Sequence, residues 1–172
     1  MVDWQAILAE HRTRMWRAAY RVLGHYDDAL DCCQEALLDA HRLAAKETVT
    51  DWGALLTTLG TRRAIDRLRR RSSRRQIEVS LENVSEPTVD DGGPNQRIEA
   101  AELLEQVRRR VAALPSKQAE TFWLVCIEGL PIDEVSRQLA ITPNRARVLL
   151  HRARARLANT LRREKLTARK KQ

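Results

Sequence analysis

The chain is poor in what a strand-rich or disulfide-stapled protein needs: among 172 residues there are 1 Phe, 2 Tyr, 6 Gly, 5 Pro and 3 Cys. Ala, Leu, Arg and Glu dominate instead, residues that lose little on entering a helix, so an all-α fold is expected. Too few cysteines are present for a disulfide framework, and Cys32 and Cys33, as chain neighbours, are badly placed to bridge each other. With Cys126 they read as small core residues. His11, His25, His41 and His151 fall at no metal-ligand spacing, so no metal is expected. The chain also lacks a glycine-rich phosphate loop and a nucleophile with a recognisable base, and it reads as a non-enzyme without a cofactor. No apolar run is long enough to span a bilayer, and residues 1–10 carry Asp3 and Glu10 without the apolar stretch of a signal peptide. A cytoplasmic protein without membrane insertion is the expectation.

What is plentiful is positive charge. Thirty-one Lys and Arg against 23 Asp and Glu give a formal charge of +8, which points to a polyanionic partner, because clustered cations gain affinity by releasing counterions from phosphates. The cations concentrate from Arg62 to Arg75 and from Arg145 onward, whereas residues 76–99 are acidic. Two DNA-facing elements joined by a segment that avoids DNA would produce this distribution.

Apolar spacing divides the chain further. Trp4, Ile7, Leu8, Met15, Ala19 and Val22 predict a first helix from about Asp3 to Leu23, stopped by Gly24. A second begins near Asp27 with the stripe Ala29, Cys33, Ala36, Leu37 and Ala40. It leaves Asp31, Gln34, Glu35 and Leu38 together on the opposite face, available to a partner. After a loop from Lys46 to Thr50, either Thr50 or Asp51 can cap a third helix opened by Trp52, Leu55, Leu56 and Leu59. Ile65 and Leu68 extend its packing, surrounded by Arg62, Arg63, Arg67, Arg69, Arg70 and Arg71. The stretch Glu82 to Asn95, with Pro87, Pro94, Gly92-Gly93 and Asp90-Asp91, has no apolar period and marks a linker, taken as residues 76–99. Periodicity returns with Ile98, Ala101, Leu104, Val107, Val111 and Leu114 and stops at Pro115. There Ser116 can cap a shorter helix that contains Phe122, Trp123 and Cys126 and ends at Gly129. The expected organisation is therefore a first helical module over 1–75, the linker, a second module over 100–163, and a basic tail over 164–172.

Residues 130–157, LPIDEVSRQLAITPNRARVLLHRARARL, parse as a helix-turn-helix. Val135 and Leu139 face inward and Ile141 plugs the turn. Thr142 is a good N-cap, and Pro143 falls where its missing N–H costs nothing. The stripe Ala146, Leu149, Leu150, Ala153 and Leu157 then leaves Asn144, Arg145, Arg147, Val148, His151 and Arg152 on or beside the outward face near the helix start. That is the part of such a helix that reaches base edges in a major groove, where Arg pairs with guanine and Asn with adenine. Arg154, Arg156, Arg162 and Arg163 lie further along, suited to phosphate contact or solvation.

With these residues in place, the chain resembles the extracytoplasmic-function (ECF) branch of the sigma-70 family along nearly its whole length. Leu114-Pro115, Gln118, Gly129-Leu130 and His151-Arg152-Ala153-Arg154 match the usual form of sigma region 4. DDALDCCQEALLDAHR at residues 27–42 resembles region 2.2, with Asp31, Gln34 and Glu35 at the matching positions; the resemblance implies that this helix, Leu38 included, docks on core RNA polymerase. LLTTLGTRRAIDRLRRRSSRR at residues 55–75 resembles regions 2.3 and 2.4. By that likeness Arg62, Arg63, Asp66, Arg67, Arg69 and Arg70, with Lys46, Thr48 and Thr50 of the preceding loop, would hold the non-template strand of the minus-10 element and an everted base. Leu30 stands where an acid is common, Ala140 replaces a frequent turn Gly, and Trp52 lies one turn upstream of the family's usual Trp.

The expected mechanism is binding without chemistry. Region 2 captures and opens minus-10 DNA, region 4 reads the minus-35 duplex, and an anti-sigma factor is a possible further partner. Two reading heads two helical turns apart are ~70 Å distant, within reach of a linker that extends to ~80 Å but averages ~27 Å when free. The resemblance implies that polymerase holds it open. One Phe and two Tyr offer few stacking groups, so melting should be weak and promoter choice stringent. Two other readings stay open: a stand-alone helix-turn-helix regulator with residues 1–75 as a dimerisation or sensor module, and an RNA-binding adaptor.

Overall fold

Each helix begins or ends where a specific residue satisfies the terminal backbone groups. A computed structural model describes residues 2–75 and 94–169 and places in them seven helices and no strand: α1 Trp4–Leu23, α2 Tyr26–Ala44, α3 Trp52–Arg75, α4 Pro94–Ala112, α5 Ser116–Cys126, α6 Ile132–Gln138 and α7 Pro143–Arg169. Asp3 caps α1, its carboxylate accepting from the amides of Gln5 and Ala6 at 3.1 and 3.0 Å. Gly24 closes it in the left-handed region at φ +66°. Of the two candidate caps for α3 the protein uses Asp51, which accepts from the Ala54 amide at 2.8 Å.

The chain divides into two compact units, Met1–Arg109 and Arg110–Gln172. In the first, α1, α2 and α3 pack on one another around Met15, Ala19, Val22, Leu56 and Ile65, all at most 2% exposed. The inner face of α2 is built from Ala29, Cys32, Cys33, Ala36 and Ala40, small groups that let its backbone approach its neighbours. Cys32 joins the predicted stripe, and Leu37 is only half-buried. Burial pushes the Cys32 thiol up to about 11 and the Cys33 thiol up to about 12, so both are neutral core groups at ordinary pH. Where α1 crosses α3, a Cβ on Gly60 would lie 3.1 Å from Met15 Cγ, so a larger residue there would press on the Met15 side chain. Within the same unit, Arg108 of α4 donates from Nε to the Arg21 carbonyl at 2.8 Å and from Nη2 to that of Tyr20 at 3.3 Å. A cation thus satisfies the last carbonyls of α1.

The second unit is built by α5, α6 and α7 around Trp123, Leu124, Val135, Ala146 and Ala153, each fully buried. The indole N–H of Trp123 donates to Glu128 Oε1 at 3.1 Å, which satisfies the one polar atom of that side chain. Buried Glu120 accepts from the Ser116 hydroxyl at 2.8 Å.

Helix ends add detail to the expected organisation. Within the expected linker, residues 76–99, α4 begins at Pro94, because a proline that breaks helix interiors is well tolerated in a first turn; residues 76–93 lie outside the described ones. Ser116 does not cap α5. It is the first helical residue, with Pro115 in the cap position, and its hydroxyl is committed to Glu120. The basic tail expected from residue 164 continues α7 as far as Arg169, since no Gly or Pro interrupts it; residues 170–172 lie outside the described ones.

Candidate nucleic-acid interface

Two cationic surfaces occur, one in each unit, and they are constructed differently. On α2, Asp28, Asp31, Glu35 and Asp39 recur three or four residues apart and so share one side of the helix; on α3, Arg63, Arg67 and Arg71 do the same. The two rows meet as a ladder. Arg67 Nη1 reaches Asp31 Oδ2 at 3.1 Å, Asp28 Oδ1 at 3.3 Å and the Asp28 carbonyl at 3.1 Å. Arg63 donates from Nε to Asp39 Oδ2 at 2.8 Å and from Nη1 to Glu35 Oε2 at 3.3 Å, and Arg71 pairs with Asp28. The hydrogen bond to Asp39 is the main cause holding the Arg63 guanidinium above its ordinary proton affinity. Asp28, which the sequence marks only as a helix start, proves to be the hub, with His25 Nδ1 also 3.6 Å away.

Residues expected to serve two different partners are therefore brought into direct contact: Asp31 and Glu35, expected to face polymerase, hold Arg67 and Arg63, expected to face DNA. Asp31, Gln34, Glu35 and Leu38 are all exposed, Leu38 at 60%. Tyr26 and Leu30, two turns and one turn before Gln34, are exposed as well and add apolar area to that side of α2. Sequence reading misses them because an exposed large apolar group is invisible until the buried stripe is known. Arg62 and Arg69 are half-buried and engaged, whereas Asp66 and Arg70 are exposed. Lys46, Thr48 and Thr50 stand exposed on the loop between α2 and α3. That loop, with Val2 and Trp52, lines an open groove of about 390 Å³.

The surface of the second unit is assembled around a tight turn. Ala140 takes φ +51°, the left-handed geometry for which a glycine would be unstrained, and the Ile141 amide donates back to the Ser136 carbonyl at 2.9 Å. Thr142 caps α7 as expected, Oγ1 accepting from the Arg145 amide at 3.2 Å, with Pro143 the first helical residue. Asn144, Arg145, Arg147, His151 and Arg152 are exposed and Val148 is half-buried. Among the described residues only a 3.9 Å approach of Asp133 to Arg147 sets a carboxylate against this face.

Two family models match, Sigma-70 region 2 over residues 7–74 and Sigma-70, region 4 over residues 104–157. The chain belongs to the ECF branch of the sigma-70 family. Among curated relatives, ECF RNA polymerase sigma factor SigE of Mycolicibacterium smegmatis is 27% identical over 161 residues, 94% of this chain and 62% of the relative, so the chain spans less than two thirds of that protein. SigW of Bacillus subtilis is 23% identical over 159 residues, 88% of this chain and 85% of the relative. Among solved structures, the sigma factor RpoE of Bartonella quintana, crystallised with the anti-sigma factor NepR, shares the fold at a TM-score of 0.59 and 19% identity, over 93% of this chain and 97% of that one. Sigma factors are regulatory initiation factors rather than enzymes. Among the described residues of this sigma factor no helix is long and apolar enough to cross a membrane.

Proposed function

We propose that this sigma factor binds core RNA polymerase and directs it to a class of promoters, working in the cytoplasm. The observation that carries the reading is the exposed start of α7: a capped, turn-positioned helix end with Asn144, Arg145, Arg147, His151 and Arg152 outward is the geometry that reads base edges in a major groove. Region 4, over residues 100–163, contacts the minus-35 duplex there. Region 2, over residues 1–75, docks polymerase on the exposed Asp31, Gln34, Glu35 and Leu38 and holds the minus-10 strand along Lys46, Thr48, Thr50, Arg62, Asp66, Arg69 and Arg70. Arg63 and Arg67 contribute to the same side while bracing α2. Residues 76–99 connect the two, and the basic residues after 163 add phosphate affinity. An anti-sigma protein is a further partner, supported by the relative crystallised with one.

Purified full-length chain mixed with core polymerase tests this. It is expected to co-purify with core and to give a promoter-dependent run-off product. The Arg147→Ala variant is expected to lose minus-35-dependent product about tenfold or more and keep its place on core. A chain that ignores core, or a product indifferent to promoter sequence, would overturn the assignment; specific duplex binding by the chain alone would favour a stand-alone regulator.

A further inference from the structure

Residues 104–109 belong to one region by sequence and to another by packing. The region 4 match starts at residue 104, yet the first compact unit runs on to Arg109. Arg108 makes the bonds that tie them to α1. Its Nε and Nη2 donate to the Arg21 and Tyr20 carbonyls, and Nη1 is braced by Glu105 Oε2, one turn earlier, at 3.3 Å. Only 11% of the Arg108 side chain is exposed. The guanidinium occupies the place a side chain on Gly24 would need: a Cβ there would lie 2.6 Å from Nη1 and 2.9 Å from Cζ. Beyond this contact, among the described residues, α4 lays no extended face on α1, α2 or α3, and its Leu103 is 61% exposed. The attachment is thus one well-seated cation on the negative end of a helix, specific enough to form and small enough to break.

A chain-length argument gives the contact a consequence. Helix α4 ends at Ala112 and α5 begins at Ser116, so the path from Arg108 to Ser116 is at most ~20 Å. Reading heads two helical turns apart on a promoter stand ~70 Å from each other. The rest of the tether becomes available only when Arg108 lets go. We infer that Arg108 is a latch, which holds the leading helix of region 4 on the end of α1 in the unbound chain and opens when the chain mounts core polymerase. The inference rests on the proposed assembly with core and adds to it a step that the protein's own residues control. A closed form lowers apparent affinity by the fraction that is open. Two hydrogen bonds from a charged donor keep the closed form ahead on the order of tenfold.

The test titrates full-length chain onto core polymerase and follows amide hydrogen exchange in the unbound chain. Arg108→Ala is expected to bind core up to about tenfold more tightly than the unmodified protein. It should also exchange the amides of residues 104–109 about tenfold faster. A cap that merely stabilised α1 would leave affinity unchanged or lower it, so the sign of the change separates the two roles. Arg108→Lys keeps the charge but not the fork of donors, and its affinity should fall between the two. Glu105→Ala loosens the brace on Nη1 without touching α1; a smaller gain in the same direction is expected, which keeps the test open if the alanine variant at 108 does not fold. Core affinity equal to or below that of the unmodified protein in these variants, or unchanged exchange at residues 104–109, would overturn the latch while leaving the sigma reading intact. An unmodified chain that never binds core would overturn both.

Discussion

Region 2 and region 4 each carry a run of arginines, yet the two runs are in different electrostatic states. On α3, Arg63, Arg67 and Arg71 face four carboxylates of α2 and spend much of their charge inside the module. On α7, Arg145 and Arg152 are exposed, and among the described residues neither has a carboxylate partner. A cationic stretch in a sequence therefore has two separable uses. The first braces helices and is bounded by the modest worth of partly exposed ion pairs; the second is held in reserve for phosphates and bases and costs the free protein nothing but repulsion.

The sharpest way to break this contrast is to remove two arginines from each side. Arg145→Ala with Arg152→Ala is expected to weaken holoenzyme binding to promoter duplex by tenfold or more and to lower the slope of log affinity against log salt by about 1.8 if both touch phosphates, with no change in melting temperature. Arg63→Ala with Arg67→Ala should instead show its main effect in thermal melting, because Asp28, Asp31, Glu35 and Asp39 are left facing one another. If the second pair depressed salt slope as strongly as the first and left the melt untouched, the ladder would not exist in solution.

A smaller effect sharpens the same point from the acidic side. Asp28→Ala removes the hub under Arg67 and Arg71 and is expected to cost about 1 kcal/mol, discounted for solvent screening. In a domain of this size that is a few degrees of melting temperature, at roughly 4–8 °C per kcal/mol. The loss should shrink as salt is raised, and a salt-independent loss would assign it to packing. Smallest is an alkaline effect confined to region 2. The Cys32 thiol holds its proton to about 11 in the folded chain against an ordinary 9.0, so stability is fully present below pH 9 and is lost as pH climbs from there toward 11. Urea midpoints at pH 8 and pH 10 should converge more closely in Cys32→Ala than in the unmodified protein; parallel behaviour would remove the thiol as the cause.

Much of this architecture was legible beforehand because it depends on local rules. Helices α1 to α3, the Thr142-Pro143 start of α7 and the exposed face of α2 follow from apolar spacing and cap chemistry, which act over a turn or two. What could not be read is what depends on which helix lies beside which. Arg63 and Arg67 look like any other members of the arginine run until α2 is laid against α3, and Asp28 looks like an ordinary helix-start acid. Spacing places Trp4 and Trp52 each at a helix start, whereas their contact across 48 residues of sequence arises only through tertiary packing. Pro94 is ambiguous for a different reason: one residue type both ends helices and begins them, and the local sequence does not say which.

Helix α7 runs for 27 residues, about 40 Å at the α-helical rise, whereas a major groove is only about 12 Å wide. Its first turns can sit among the bases while its middle stays packed on α5 and α6 through Ala146, Leu149 and Ala153 and its last turns continue past them. A change of 10° in how the Ala140 turn presents Pro143 would swing the distal end by roughly 7 Å over that length. Small differences in packing beneath the turn thus become large displacements of the far end, so any protein grasping that end would hold mechanical leverage over how the reading end meets its base pairs.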